Sequence, residues 1–552
     1  MEKLTFAHVI LALSPLFFLL GCGGAESLAY QNPEWRESVN ERVTFPLQDQ
    51  IQLRIGMRGR TIPSNDDPSL LWLEAETNID LVFEEIPTSP GDIELGNIIR
   101  NGTLYDIIPE GVLDVSNSID RELFVNFLEF PSLLPNVTAL AKADERYRSG
   151  IAAKSTLGGE LFSLGSFDPD RVPFVGTLAY RRDLFEKHSL GTSTWDAIDR
   201  SLVRLKDLYP DSYPFGGSRG DIYYVLPALF GTGMTRDTLC YFDVGSSEWV
   251  FGPYEPEFEA YIRLLARWYA EGIMIPDIFV SENTELLRYF SSDAVFVSSY
   301  PGPTGPYFRY RGEGYGGVDE NGVWDGTGKW IDALEVPAGG ALTNSLFSFV
   351  GPGWNVYNQS EHVGEAIALL DYLFTPDVAI SMQYGPEGLL WTNSGSGPVL
   401  LEEYIDAYKT TGTSALRPSN DTRAEETDSG GVTAPFPMAG LLWAVPSSLF
   451  GSPEFREYRY FTDSVAARYF PGPEIPLDPG LRFTADQDYH SDRAKLMIGL
   501  QTLVEGDIAQ FIAGQKSFDE WDDFIENCRE LCADRLLDLH NANSEVFSGE
   551  MF

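Results

Sequence analysis

Basic residues are scarce in this chain: 39 lysines and arginines face 82 aspartates and glutamates, a formal net charge of −43. Nucleic-acid phosphates need a cationic footprint, so nucleic acid is excluded as a natural partner. The acids are spread along the chain rather than gathered in a tail, which predicts a solvated acidic surface that keeps the molecule soluble. Cysteine is almost missing, with four among 552 residues, too few for a disulfide framework. The five histidines lie far apart, without metal-ligand spacing, and no His-Glu-x-x-His occurs. Gly326-Thr327-Gly328-Lys329 lacks the upstream glycine of a phosphate loop. After the N-terminal apolar run no second one is long enough to span a membrane. Arg219-Gly220-Asp221 spells an adhesion tripeptide, but chance accounts for it.

What is present begins at the N-terminus. Residues 6–20 are apolar apart from His8, Ser14 and Pro15, short of the ~20 residues of a membrane span but suited to a signal-peptide core. The run ends in Leu19-Leu20-Gly21-Cys22, which resembles the bacterial lipobox, whose cysteine is lipidated and becomes the first mature residue. Small Gly21 admits a peptidase, and Cys22 offers the thiol. The n-region departs from the pattern, since Glu2 offsets Lys3; an ordinary signal peptide with a chance cysteine is the plainer alternative. The expected division is a signal peptide at 1–21 and a lipidated N-terminus with a polar tether at 22–44. Roughly 530 residues remain, several times the usual ~150-residue domain. The apolar fraction of 43% and aromatic fraction of 13% are those of a folded chain. Cys240, Cys528 and Cys532 are then left. A bridge between the last two would close a tiny loop and constrain little, so buried free thiols are expected, and no metal site, because no further ligand lies nearby.

Residues 51–55 alternate with period two, a strand ending at Gly56. Residues 69–76 read as a helix, 79–86 as a strand stopped by Pro87, 92–101 as a helix and 104–108 as a strand closed by Pro109. That alternation predicts a parallel sheet with crossover helices. Residues 173–180 form an apolar strand running into a helix over 182–188. Thr194 caps the next helix, with Ile198, Leu202, Leu205 and Leu208 as its apolar stripe. A strand ends at 249–252 before a long helix over 256–271 that turns Phe258, Ile262, Leu265 and either Trp268 or Tyr269 inward. Residues 294–297 are a buried-strand candidate, and Asn321-Gly322 is a hairpin signal. The next strand is 346–350, and 354–357 continues it beyond Gly351-Pro352-Gly353. An amphipathic helix covers 361–373, a polar surface excursion 412–433, and the tail is helical over 494–514, 518–532 and 535–542.

Several stretches, in order along the chain, resemble the extracellular solute-binding proteins of ABC importers, in particular the sugar-binding lipoproteins (family 1-like). They are Trp72-Leu73-Glu74-Ala75-Glu76-Thr77-Asn78-Ile79 and Gly102-Thr103-Leu104-Tyr105-Asp106-Ile107. The most recognisable is Tyr180-Arg181-Arg182-Asp183-Leu184-Phe185 followed by Thr194-Trp195-Asp196. Further matches are Tyr269-Ala270-Glu271-Gly272-Ile273, Leu369-Leu370-Asp371-Tyr372-Leu373, and Phe511-Ile512-Ala513-Gly514 with Phe518-Asp519-Glu520-Trp521. The resemblance implies an α/β, two-lobed periplasmic-binding-protein-like fold of type II, with the ligand cleft between lobes that close about a hinge. It implies one lobe at 45–165 plus 346–391, another at 173–340 plus 437–552, and a crossing with a surface excursion at 392–436.

A sugar cleft needs flat apolar faces for the C–H side of the ring and directed hydrogen bonds for the hydroxyls. Trp354, after Gly351-Pro352-Gly353, is a candidate ligand face or a core residue. Trp391, Trp443 and Tyr300, each beside a Gly- or Pro-rich loop, are candidates of the same kind. Arg58, beyond the first strand, could donate a forked pair of hydrogen bonds or pair with Asp66 or Asp67. Asp106 could accept from hydroxyls or cap a turn. Trp72, Trp195, Trp249, Trp268 and Trp521 read as packing residues.

Together these imply a receptor without covalent chemistry, metal or cofactor. It would be a monomer, held outside the cell membrane by acyl chains such as palmitate on Cys22. It would capture a carbohydrate or oligosaccharide and deliver it to an ABC permease. The alternatives are a secreted glycoside hydrolase, a binding protein for peptides or other small solutes, and a surface lipoprotein without a ligand. With so many carboxylates a suitably spaced pair exists somewhere, so acid count does not favour the hydrolase.

Overall fold

The structure, a computed structural model, describes residues 39, 42–57, 67–86, 105–110, 122–168, 177–236, 238–281, 289, 292–300, 329, 331–334, 348–395, 397–402, 479–484 and 486–549. Its first strand, β1 (Ile51–Met57), buries Leu53 and Ile55, as the period-two pattern requires. In α1 (Pro68–Thr77) the Asp67 side chain accepts from the Ser69 and Leu70 amides, and Asn78 ends the helix in the left-handed region at φ 58°. That turn feeds into β2 (Ile79–Glu85), which pairs with β1 in parallel from Ile51↔Ile79 to Met57↔Glu85. On the other side of β1, β3 (Ile107–Pro109) is also parallel. Pro109 is the last residue of this strand rather than its stop.

Two helices, α2 (Pro135–Ala143) and α3 (Glu145–Ala153), precede β4 (Leu164–Phe167). Then come β5 (Thr177–Arg181), α4 (Arg182–Lys187), α5 (Trp195–Leu208) and β6 (Phe215–Gly217). The Thr194 hydroxyl accepts from the Ala197 amide at 3.1 Å, and Ile198, Leu202 and Leu205 are fully buried, as their spacing predicts. A hairpin of β7 (Tyr241–Asp243) and β8 (Glu248–Val250) leads to α6 (Pro256–Ala270), which turns Phe258, Ile262, Leu265 and Trp268 inward. β9 (Val297–Tyr300) and β10 (Ile331–Ala333) follow. The strand expected at 294–297 is thus displaced; Val295 and Phe296 are buried ahead of it. The chain continues with β11 (Val350–Val356), α7 (Val363–Tyr372), α8 (Pro376–Tyr384), β12 (Trp391–Asn393) and β13 (Pro398–Leu400). Last are β14 (Leu481–Phe483), α9 (Gln487–Ile512), α10 (Trp521–Glu530), α11 (Ala533–Ala542) and β15 (Ser544–Val546). The expected helix at 92–101 and the Asn321-Gly322 hairpin lie outside the described residues.

Two main sheets result, ordered β2-β1-β3-β11-β4 and β10-β5-β9-β6. β11 runs antiparallel to both β3 and β4 and bulges through Gly351-Pro352-Gly353, its register with β4 shifting between Val350 and Gly353. A Cβ on Gly353 would lie 2.0 Å from the Leu164 carbonyl oxygen, so only glycine lets the strands meet there. α7 departs from the amphipathic pattern: Val363, Gly364 and all of 366–371 are buried, because it packs between β11 and α2.

The chain passes between the sheets from Phe167 to Thr177, ten steps that span at most ~35 Å, and returns between Ala333 and Val350. Both passages join one edge of each sheet. In the first sheet that edge carries the carboxyl ends of β1, β2 and β3; in the second it carries those of β6 and β9. These two edges therefore face each other.

Candidate functional site

Ligands of open α/β sheets bind beyond the carboxyl ends of the strands, so the facing edges define the site. On the second sheet, β6 ends at Gly217, and Ser218 opens a turn in which its amide (3.2 Å) and hydroxyl (2.6 Å) donate to the Asp221 carboxylate. Arg219-Gly220-Asp221 is therefore part of a folded turn with its acid buried. Asp221–Val225 forms one turn of π-helix, the Leu226 amide reaching back to the Asp221 carbonyl. Such turns are rare and recur at functional sites. This one carries Tyr223 and Tyr224 toward α9, which presents Gln501 and Glu505 one turn apart.

The contacts form a closed network. The Tyr223 hydroxyl donates to the Glu505 carbonyl at 3.1 Å. The Tyr224 hydroxyl and the Arg219 guanidinium donate to the Glu505 carboxylate. The Gln501 amide donates to both the Tyr224 hydroxyl and the Glu505 carboxylate, each at 2.9 Å. Burial alone would raise the Glu505 carboxyl, but hydrogen bonds from Tyr224, Gln501 and Arg219, with the charge of Arg219, hold it below its ordinary range. Its hydrogen bond and charge raise Arg219 in return, and burial pushes Tyr223 up to about 12. Arg219 remains 56% exposed. Ile498, two turns before Glu505 on the same helix face, is 72% exposed. The wall thus offers hydroxyl, amide and guanidinium groups beside an apolar side chain, with its cation already matched by a carboxylate.

On the first sheet, Glu110 follows β3 and accepts from Lys154 Nζ (2.7 Å), the Ser163 hydroxyl (3.0 Å) and the Gly353 amide (2.8 Å). This cluster ties the end of β3 to the bulge of β11. Behind it, Arg146 pairs with Asp144 and lies over the rings of Phe349 and Phe167.

The residues singled out in the sequence are not gathered here as a set. Tyr300 ends β9 at the facing edge, opposite Thr177; its side chain is outside the described part. Trp354 sits opposite Pro109 near that edge but is 4% exposed, enclosed by β3 and β4, so its ring offers no open face. Trp391 is 8% exposed and donates its indole N–H to the Gly385 carbonyl at 2.7 Å, a packing role. Asp106 accepts from the Arg54 amide (2.7 Å) and the Ser360 hydroxyl (2.6 Å), tying β1 to the segment after β11 rather than capping a turn of its own. Arg58, Trp443 and Cys22 lie outside the described residues. Trp249, Trp268 and Trp521 are buried, and Trp195 stacks on Phe230 at 3.8 Å. Cys240 and Cys528 are buried free thiols, whereas Cys532 is half-exposed. Sequence reasoning missed Arg219, Tyr223, Tyr224, Gln501 and Glu505. The available signal was the tyrosine pair Tyr223-Tyr224 a short way beyond Gly216-Gly217-Ser218.

Among the described residues no group of three or more His, Cys, Asp or Glu could hold a metal ion, and no helix is long and apolar enough to cross a membrane. No family model and no curated protein sequence matches the chain. Solved structures do. An extracellular solute-binding protein from Bifidobacterium longum subsp. infantis matches with a TM-score of 0.64 at 12% identity, over 90% of this chain and 99% of that one. The alginate-binding protein AlgQ2 matches at 0.58 and 16% identity, over 91% and 99%. The S. pneumoniae ABC-transporter substrate-binding protein FusA, in complex with kestose, matches at 0.61 and 14% identity, over 89% and 98%. The chain has the two-lobed α/β fold of the solute-binding proteins, with a cleft between the lobes.

Proposed function

We propose that the protein is the substrate-binding component of an ABC importer. It captures a carbohydrate or oligosaccharide between its lobes and delivers it to a membrane permease, without covalent chemistry. The observation that carries this reading is the pair of facing carboxyl edges, in a fold shared over nine-tenths of the chain with proteins that include a kestose-bound one. The wall of Arg219, Tyr224 and Gln501 beside Ile498 supports it, since sugars need directed hydrogen bonds next to apolar surface. Ligand selects the closed form because only there do both lobes touch it. The lobes are taken as 45–165 plus 346–391 and 173–340 plus 437–552, with 392–436 as a further passage. Arg58, Tyr300 and Trp443 are taken as additional ligand contacts.

The N-terminus fits that role. Removal of 1–21 and acylation of Cys22 would hold a monomer at the outer face of a membrane, with 22–44 as its tether. Anchoring keeps the receptor near its permease and raises the effective concentration for hand-over. Calorimetric titration of the soluble form against a glycan panel tests the reading. Binding of an oligosaccharide without release of reducing ends supports it. Silence across sugars, with binding of peptides or amino acids, would overturn it.

A further inference from the structure

We propose that Glu505 is a specificity residue that makes the cleft select neutral oligosaccharides and reject those bearing carboxylates; this rests on the carbohydrate-binding reading above. Three cations at the two facing edges, among the described residues, have carboxylate partners, while Arg236, exposed and acting on Tyr224 by its charge, is a fourth cation nearby. Arg219 is paired with Glu505, Lys154 with Glu110, and Arg146 with Asp144. Beyond these pairs the edges add Glu85, exposed at the end of β2, and Asp168, half-buried after β4. The whole chain adds its charge of −43. A uronate entering beside Arg219 loses its hydration, finds that guanidinium already paired and approaches further carboxylates. Like charges brought together across an interface are a strong basis for rejecting a wrong partner.

The pairing of Arg219 is the element that sets this choice. A guanidinium on its own, 56% exposed at a strand end, would match a sugar carboxylate with two parallel hydrogen bonds. Glu505 already holds one nitrogen of that fork, so a two-bond match to a sugar carboxylate has to displace it. Tyr224 and Gln501 both donate to the same carboxylate and fix it in place. What Arg219 and Tyr224 still offer is suited to hydroxyl groups, which carry no charge to be repelled. The structural neighbours include proteins named for each class, alginate being a polyuronate and kestose a neutral fructan sugar. The charge pattern here favours the second class.

The experiment compares the soluble full-length mature chain with Glu505→Gln and Arg219→Gln. Each is titrated calorimetrically, in EDTA so that no divalent cation bridges like charges. The probes are neutral tetrasaccharides from mannan, glucan, xylan and fructan, and the tetrauronates of mannuronic and galacturonic acid. The native chain is expected to bind at least one neutral probe and to bind both uronates about 100-fold more weakly or not at all. Glu505→Gln keeps the side chain's shape while freeing Arg219, and is expected to tighten uronate binding about tenfold. Arg219→Gln should leave the rejection in place. Uronate binding by the native chain that equals or exceeds its best neutral binding would overturn the inference while leaving the carbohydrate reading standing. Binding of neither class would remove both. If Glu505→Gln does not fold, the native comparison still decides, and 1 M salt should then weaken the rejection of uronates by screening it.

Discussion

The Asp168 amide donates to the Phe349 carbonyl at 3.2 Å, and that bond joins the two passages by which the chain leaves and re-enters its first sheet. The guanidinium of Arg146 lies over both flanking rings, 4.8 Å from the Phe349 centroid and 5.9 Å from that of Phe167. Asp144 orients it, and hydrogen bonding from Arg146 holds the Asp144 carboxyl below its usual range. Farther along the same face of α3, Gly480 at φ +81° packs against the Ser149 carbonyl, and the Phe483 carbonyl accepts from the Leu157 amide at 3.0 Å. Helix α3 therefore touches both described passages between the two main sheets and also the β14 segment. A closing motion has to bend around it.

Arg146→Ala removes the cation over both rings, contacts worth about 0.5–1 kcal/mol each. The expected result is a ligand affinity weakened about threefold, although Arg146 makes no ligand contact, together with a broader apo conformational distribution. Calorimetry and spin-label distance measurements across the lobes check this. An unchanged distance distribution would contradict it.

Asp371 is buried at 2% exposure and accepts from the Val137 amide (2.9 Å) and from the backbone and side-chain amides of Asn136 at the start of α2. Burial raises its carboxyl to about 6, more than these hydrogen bonds lower it. The folded state therefore binds this proton more tightly than the unfolded state. Its contribution to stability is full below about pH 4 and is lost as pH rises through 6, about 3 kcal/mol in all. Urea unfolding of the native chain and of Asp371→Asn at pH 4, 5, 6 and 7 should show this decline only in the native chain. Parallel profiles would refute the assignment.

His540 behaves in the opposite sense in the other lobe. Its Nε2 meets the Thr238 carbonyl at 3.3 Å, so that nitrogen carries the proton, and Nδ1 accepts from the Tyr489 hydroxyl at 3.1 Å. Burial, which outweighs the hydrogen bond to Thr238, lowers the ring to about 4. The stability it contributes is present above about pH 6.5 and is lost as pH falls toward 4. Acid should therefore open the packing of Trp249, stacked 4.8 Å from His540, before it affects α2. Tryptophan fluorescence of His540→Gln should lose the transition between pH 6 and 4 that the native chain shows.

The readable parts of this chain were those decided by neighbours in sequence. Alternation along β1, the Thr194 cap and the stripe of α5 depend on residues within a turn or two, and each is where the pattern put it. Trp354 is different, because an indole beside a Gly-Pro-Gly bulge faces core or cleft according to strands far away, here β3 and β4. The wall at the site was less legible still. Arg219 and Glu505 are 286 residues apart, and no spacing rule relates them. α7 looked half-polar in sequence, but α2 covers the side that would otherwise meet water.

The thiols give a simple check on burial. Burial pushes the Cys528 thiol up to about 12, with the charge of Asp507 adding to it, and burial raises Cys240 further. Cys532 is half-exposed. Maleimide treatment of the native protein at pH 7, read by peptide mass spectrometry, should modify Cys532 and leave Cys240 and Cys528 free until denaturant is added. Early labelling of Cys240 would mean that the hairpin of β7 and β8 is not packed as described.

The central claim is capture of a sugar by closure of two lobes over facing sheet edges. Small-angle scattering of the soluble chain, with and without a saturating amount of the tightest-binding neutral oligosaccharide, tests it most directly. The account predicts that the radius of gyration falls when the sugar is bound. An unchanged radius with calorimetrically proven binding would contradict it.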